Sequence, residues 1–162
     1  MRMISATVAV LLLAIGSPWC AWAGYDDGAA AYKRGDYEAA LREFRLLAEH
    51  GDAAAQRFLG GMYLFGRGVP QSGAEAANWY RKAAEQDDPK AEYRIGTMYH
   101  AGRGVPQDDV VAQMWLNLAA SHGHKRGIRW RNALAKRMTS AQVTEAQRLA
   151  REWMAKFEAR KK

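Results

Sequence analysis

The sequence predicts an all-α solenoid of stacked helical hairpins, and three observations predict it. A 36-residue stretch recurs directly after itself, apolar residues inside each copy fall at spacings of three and four, and helix-starting residues stand at the head of each apolar run. Residues 53–88, moved forward by 36 places, fall on residues 89–124, and 14 of the 36 pairs are identical. Gly66-Arg67-Gly68-Val69-Pro70-Gln71 recurs unchanged as residues 102–107, and Trp79 recurs as Trp115.

At the N-terminus, Arg2 precedes an apolar and small-residue run from Val8 to Gly16, followed by Pro18 and Ala21-Trp22-Ala23. That is the order of a secretory signal peptide over residues 1–23, with cleavage expected after Ala23 and an exported protein, periplasmic or secreted, as the consequence. The alternative is an uncleaved anchor, although the run falls short of the roughly 20 apolar residues a membrane-spanning helix needs. Cys20 is the only cysteine and leaves with the signal; it follows the bulky Trp19, where a lipid-attachment site wants a small residue. The mature chain then has no disulfides, thiolate nucleophiles or cysteine metal sites, and its stability must come from packing.

Residues 24–52 read as a first hairpin. Gly35-Asp36 forms a tight turn, Ala40, Leu41, Phe44 and Ala48 recur at helical spacing, and Gly51 closes the second helix. Residues 53–88 and 89–124 read as two more hairpins, each with a six-residue glycine-proline connection. Asp52, Ser72, Asp88 and Asp108 stand at N-cap positions, and Pro89 fits the first helical position, where its missing N–H costs nothing. Gly60 and Gly96 lie inside helices, where glycine costs about 0.8–1 kcal/mol against alanine, so close approach of the partner helix is expected there. Gly104 is expected to hold a positive φ, and Trp79 and Trp115 to be buried between hairpins. The acidic pairs Asp26-Asp27, Asp87-Asp88 and Asp108-Asp109 are expected at helix starts, where negative charge suits the helix dipole.

Leu59-Gly60-x-x-Tyr63, Gly66-x-Gly68-Val69, Ala76, Trp79-Tyr80 and Ala83-Ala84, with their second copy, resemble the Sel1-like repeat, a relative of the tetratricopeptide repeat. The first hairpin is more similar to a tetratricopeptide unit. The resemblance covers residues 24–124, the C-terminal segment from Met114 to Ala150 is similar to the end of many small exported bacterial Sel1-repeat proteins, and the resemblance implies a scaffold or adaptor with a protein or peptide partner. Some cysteine-rich Sel1-like proteins bind or hydrolyse β-lactams, but they rely on disulfides within each repeat, which this mature chain lacks. That reading ranks last.

Residues 125–162 are expected to form a basic helical cap. Trp130, Leu134 and Met138 recur every four residues; Thr139 and Gln142 make a capping box ahead of a stripe running through Val143, Ala146, Leu149, Ala150, Trp153 and Phe157. This segment holds 12 Lys/Arg against 3 Asp/Glu, whereas residues 24–124 hold 11 against 14. The basic surface of Arg148, Arg151, Lys156 and Arg160 suggests an alternative role: a peripheral envelope protein contacting an acidic partner or an anionic membrane surface. Nucleic acid is not expected as a partner of an exported chain.

No His-Glu-x-x-His and no Ser-x-x-Lys occur in the mature chain, and the glycine loops lie between helices rather than after a strand. No catalytic residues, metal or cofactor are therefore expected. The sequence as a whole predicts a right-handed, non-enzymatic α-solenoid that mediates protein–protein interaction. Its first helices line the concave face, by analogy with tetratricopeptide arrays. The partner-facing candidates are Arg57, Gly61, Leu64 and Phe65 on one helix and Tyr93, Thr97 and His100 on the next, with Phe65 and Tyr93 as aromatic anchors.

Overall fold

The computed structural model describes residues 18–160, with side chains from residue 24 onward. It contains eight helices among the described residues: α1 (Pro18–Arg34), α2 (Tyr37–Glu49), α3 (Ala53–Phe65), α4 (Gly73–Ala84), α5 (Pro89–Ala101), α6 (Asp109–Ser121), α7 (Lys125–Ala135) and α8 (Ser140–Arg160). The first six form three hairpins, each packed on the next, while α7 packs on α6 and α8 returns to lie against α6 as well. No strand occurs among the described residues.

The helix starts are fixed by side chains. Asp36, Asp52 and Ser72 accept from the backbone amides of Ala39, Ala55 and Glu75, and Asp88 and Asp108 each accept from two amides of the following helix. The capping box at α8 is reciprocal: Gln142 N–H donates to Thr139 Oγ1, and Thr139 N–H donates to Gln142 Oε1. One expected start is absent. Asp26 and Asp27 lie inside α1 as exposed residues, because that helix already runs from Pro18.

Gly60 and Gly96 carry out the close approach their helices require. A Cβ on Gly60 would sit 3.0–3.1 Å from the Tyr80 ring, and one on Gly96 would sit 3.1 Å from Leu116 Cγ. The connecting loops seat on the preceding hairpin. Gly104, at φ +74°, has no room for a side chain, since a Cβ would overlap the Gly73 carbonyl and the Ala74 amide at the start of α4. Gly68, at φ +72°, makes the same approach to Tyr37 at the start of α2. Arg45 donates to Tyr63 Oη at 3.4 Å and Arg81 to Tyr99 Oη at 2.7 Å, so the same pair of side chains joins successive hairpins one repeat apart, more tightly at the second junction.

The interior is a chain of three clusters handed along the stack. In the first, Phe44 stacks on Phe58 at 4.8 Å with Tyr25 edge-on to both, above buried Leu59 and Met62. Leu64, Tyr80, Ile95, Met98, Trp115 and Leu118 form the second, and Ala112, Leu116 and Leu134 the third. Trp115 is buried, with Trp153 of α8 edge-on at 4.7 Å. Trp79 is not: it is half-buried and carries Lys82 Nζ on its ring face at 4.1 Å. The cause is α8, which covers the outer face of α6 and gives α4 no equivalent lid. Trp130 is 40% exposed while Leu134, one turn on, is buried.

Candidate functional site

The alternate helices α1, α3, α5 and α7 turn one face toward a shared cleft of about 610 Å³. Tyr32 of α1 and Arg57, Phe58, Gly61 and Phe65 of α3 form one wall, while Lys90, Tyr93 and Arg94 of α5 with Lys125 and Arg126 of α7 form the other. Tyr80 reaches through from α4, above the gap left by Gly60 and Gly61, and burial pushes its hydroxyl pKa up. Past Tyr93 and Arg126 a second depression of about 450 Å³ continues to Arg129 and Trp130. Phe65, 51% exposed, and Trp130 thus mark the two ends of one run of surface with Tyr93 between them.

The lining is electrostatically one-sided. The main cleft carries five cationic side chains, Arg57, Lys90, Arg94, Lys125 and Arg126, and no carboxylate. Arg57 is held by Asp88, with Nε 3.0 Å from Oδ2, while the other Asp88 oxygen caps α5. Several cations lie over rings: Arg57 over Phe58 at 5.1 Å, Arg67 over Phe65 at 5.5 Å and Arg94 over Tyr93 at 5.8 Å. His124 stands 4.9 Å from the Tyr93 ring, and its Nδ1 accepts the Gly127 amide to start α7. Burial, then the nearby Arg126, Lys90 and Arg94, lowers its pKa, which keeps that nitrogen free to accept.

Of the residues expected to face a partner, the cleft gathers Arg57, Gly61, Phe65 and Tyr93. Leu64 does not join them; it is buried in the second cluster, because it lies one turn beyond Gly60 on the face that meets α4. Thr97 donates its hydroxyl to the Arg94 carbonyl, and His100 is engaged by Asp109 at 2.6 Å and by the Trp130 edge, so neither lines the main cleft. Lys90, Arg94, Lys125 and Arg126 were not among the expected residues. The spacing Lys90, Tyr93, Arg94 is a helical face signal, but Lys125 and Arg126 reach the cleft only because the α6–α7 corner folds back. On α8, Arg148 is bonded to Glu145 and Glu152, while Arg151 and Lys156 are exposed and Arg160 lies over Trp153 at 5.9 Å.

Sel1 repeats match residues 53–88 and 89–124. The chain is a Sel1-like repeat protein. Among solved structures it is similar to a protective antigen of uropathogenic Escherichia coli strains displaying an SLR fold, at 33% identity and a TM-score of 0.80. It is also similar to a Sel1 repeat protein from Oxalobacter formigenes, at 28% identity and a TM-score of 0.68. These alignments cover 85% and 80% of this chain but 30% and 55% of the respective neighbours, so the chain spans only part of their length. No curated protein sequence matches it. Sel1 repeats are commonly protein-interaction scaffolds and generally non-catalytic.

Proposed function

We propose that this Sel1-repeat chain is a non-enzymatic, exported adaptor that holds an acidic, aromatic-bearing segment of a protein partner in the cleft between Phe65 and Trp130. The observation that carries the reading is the lining: five cations and no carboxylate, interleaved with Tyr32, Phe58, Phe65 and Tyr93. Charge complementarity would select and steer the segment, and the exposed rings would supply most of its binding energy. Export rests on the N-terminal order of Arg2, the apolar run and Ala21-Trp22-Ala23. Residues 1–17 lie outside the described residues, and among those described no helix is long and apolar enough to cross a membrane.

The test uses a fluorescein-labelled dodecapeptide of Glu, Asp and Phe, read by anisotropy beside a counterpart with Lys in place of the acids. The acidic peptide binds, and Arg94→Glu with Lys125→Glu weakens it by at least about tenfold, as does raising salt from 50 to 200 mM. Equal binding of the two peptides sinks the reading. If neutralising Arg148 and Arg151 and deleting residues 158–162 abolishes binding while the cleft variant leaves it intact, the contact belongs to the basic tail instead. N-terminal sequencing of protein recovered from the envelope fraction tests export, with Gly24 the expected first residue.

A further inference from the structure

At the edge of the cleft, where the α4–α5 corner meets the end of α6, three ligand-type side chains converge. Asp87, Glu92 and His122 each bring one donor atom into a group whose members all lie within 4.8 Å of one another. Glu92 is fully buried, at 0% exposure; its Oε2 lies 3.0 Å from His122 Nδ1, and its Oε1 has no hydrogen-bond partner. A buried carboxylate with an unmatched oxygen is costly and calls for a compensating group. Asp88 cannot supply or share one, since Arg57 and the α5 amides occupy it.

The preceding junction shows what the fold needs at these places. One repeat earlier stand Gly51, Gln56 and Gln86. There Gln86 Nε2 donates to Gln56 Oε1 at 2.8 Å, and Gln56 Nε2 donates to the Ala48 carbonyl at 3.0 Å, so the buried polar groups are matched by neutral amides. At the second junction all three equivalents have become metal-ligand types. Asp87 even holds φ +61°, a conformation filled by glycine at Gly51 and Gly123. The contact between Glu92 and His122 is kept across the junction, but in an ionisable form.

We propose that Asp87, Glu92 and His122 bind one divalent metal ion of the zinc class. Zinc takes carboxylate oxygen and imidazole nitrogen at about 2.0–2.2 Å, which places donors on one ion roughly 3–3.5 Å apart. The Glu92–His122 pair already has that separation, and the Asp87 donor lies within 4.8 Å of both. His122, with a third of its side chain exposed and lining the cleft, provides the entry path. Three protein ligands leave a coordination position open toward the cleft. The site stands apart from the peptide reading, because none of its donors is needed for the cationic lining.

Isothermal titration of the full chain with zinc chloride tests it, beside a variant that rebuilds the first junction: Asp87→Gly, Glu92→Gln and His122→Gln. That variant uses residues the fold already accommodates one repeat earlier; should it not fold, His122→Gln alone replaces it. The expected result is one zinc per chain at micromolar affinity or better, weakened at least about 30-fold in the variant, with melting raised by about 5 °C in the parent only. Affinity should fall between pH 8 and pH 5.5, as carboxylates and imidazole must shed protons to ligate. Absence of saturable one-to-one binding, or equal affinity in the variant, overturns the proposal, as does a preference for magnesium over zinc.

Discussion

The two Sel1 repeats share a backbone plan and differ in what they do with it. At positions that set helix ends and helix spacing, residues 53–88 and 89–124 agree: Gly60 with Gly96, Gly68 with Gly104, Tyr63 with Tyr99. At positions between these they diverge. Arg57-Phe58 in one repeat is answered by Tyr93-Arg94 in the next, so aromatic and cation exchange places along the cleft wall. Gln56 and Gln86 make a neutral contact, whereas Glu92 and His122 make an ionisable one. Architecture resides in the repeated positions, and chemistry in the ones that vary.

The sharpest way to break this comparison is through the tryptophans. Trp115→Ala should cost about 3–5 kcal/mol in urea unfolding, since it empties a buried site beneath Trp153. Trp79→Ala should cost about 1–2 kcal/mol, because its ring is already half in solvent under Lys82. Equal losses would mean that α8 does not seal the second repeat alone. Next comes Gly104→Ala, expected to cost about 3 kcal/mol from a positive φ and a collision with the backbone of α4. Urea midpoints check it, and a loss near zero would show that the loop lifts off freely.

The ionisable junction gives a smaller, pH-dependent effect. Burial pushes the Glu92 pKa up to about 7; the His122 contact opposes the rise, and Asp87 and Asp88 add to it. A carboxyl with a raised native pKa favours the folded state in its protonated form. Its contribution is full below about pH 4.5 and is lost as pH rises through 7. In metal-free buffer, Glu92→Gln should therefore stabilise the chain by on the order of 2 kcal/mol at pH 8 and change little near pH 4.5. Paired urea titrations at the two pH values decide it, and a gain equal at both would contradict the assigned cause.

The smallest effect concerns the third cap in register. His124 occupies the place of Asp52 and Asp88, so His124→Ala should cost about 1 kcal/mol. Because its native pKa is lowered, the His124 contribution is present above the ordinary histidine value near 6.5 and is lost as pH falls through the lower native one. His124→Asp should keep the cap and remove that acid sensitivity, which thermal melts at pH 7.5 and 5.5 would show.

The repeat, its caps and the tight glycines were legible because each is written locally: a spacing, a side-chain type or a residue without a Cβ. Leu64 was misread because one step along a helix turns a side chain by about 100°, enough to move it from the cleft to the core. Trp79 and Trp115 look alike in sequence, and only the return of α8 onto α6 separates them. Lys125 and Arg126 looked like members of a basic tail, yet the corner at Gly123 delivers them to the cleft. The cluster joins Asp87 and Glu92 to His122, 30 positions beyond Glu92, and a motif search with short windows has no view of it.

Each connector rests its glycine on the start of the second helix of the hairpin before it, so the six residues of Gly-Arg-Gly-Val-Pro-Gln act as a ruler between rungs. A shorter or longer ruler would tilt one hairpin on its neighbour and open or close the angle at which the two walls converge. The pitch of the stack, and with it the width of segment the protein can grip, is thereby written into a peptide that never touches what is gripped.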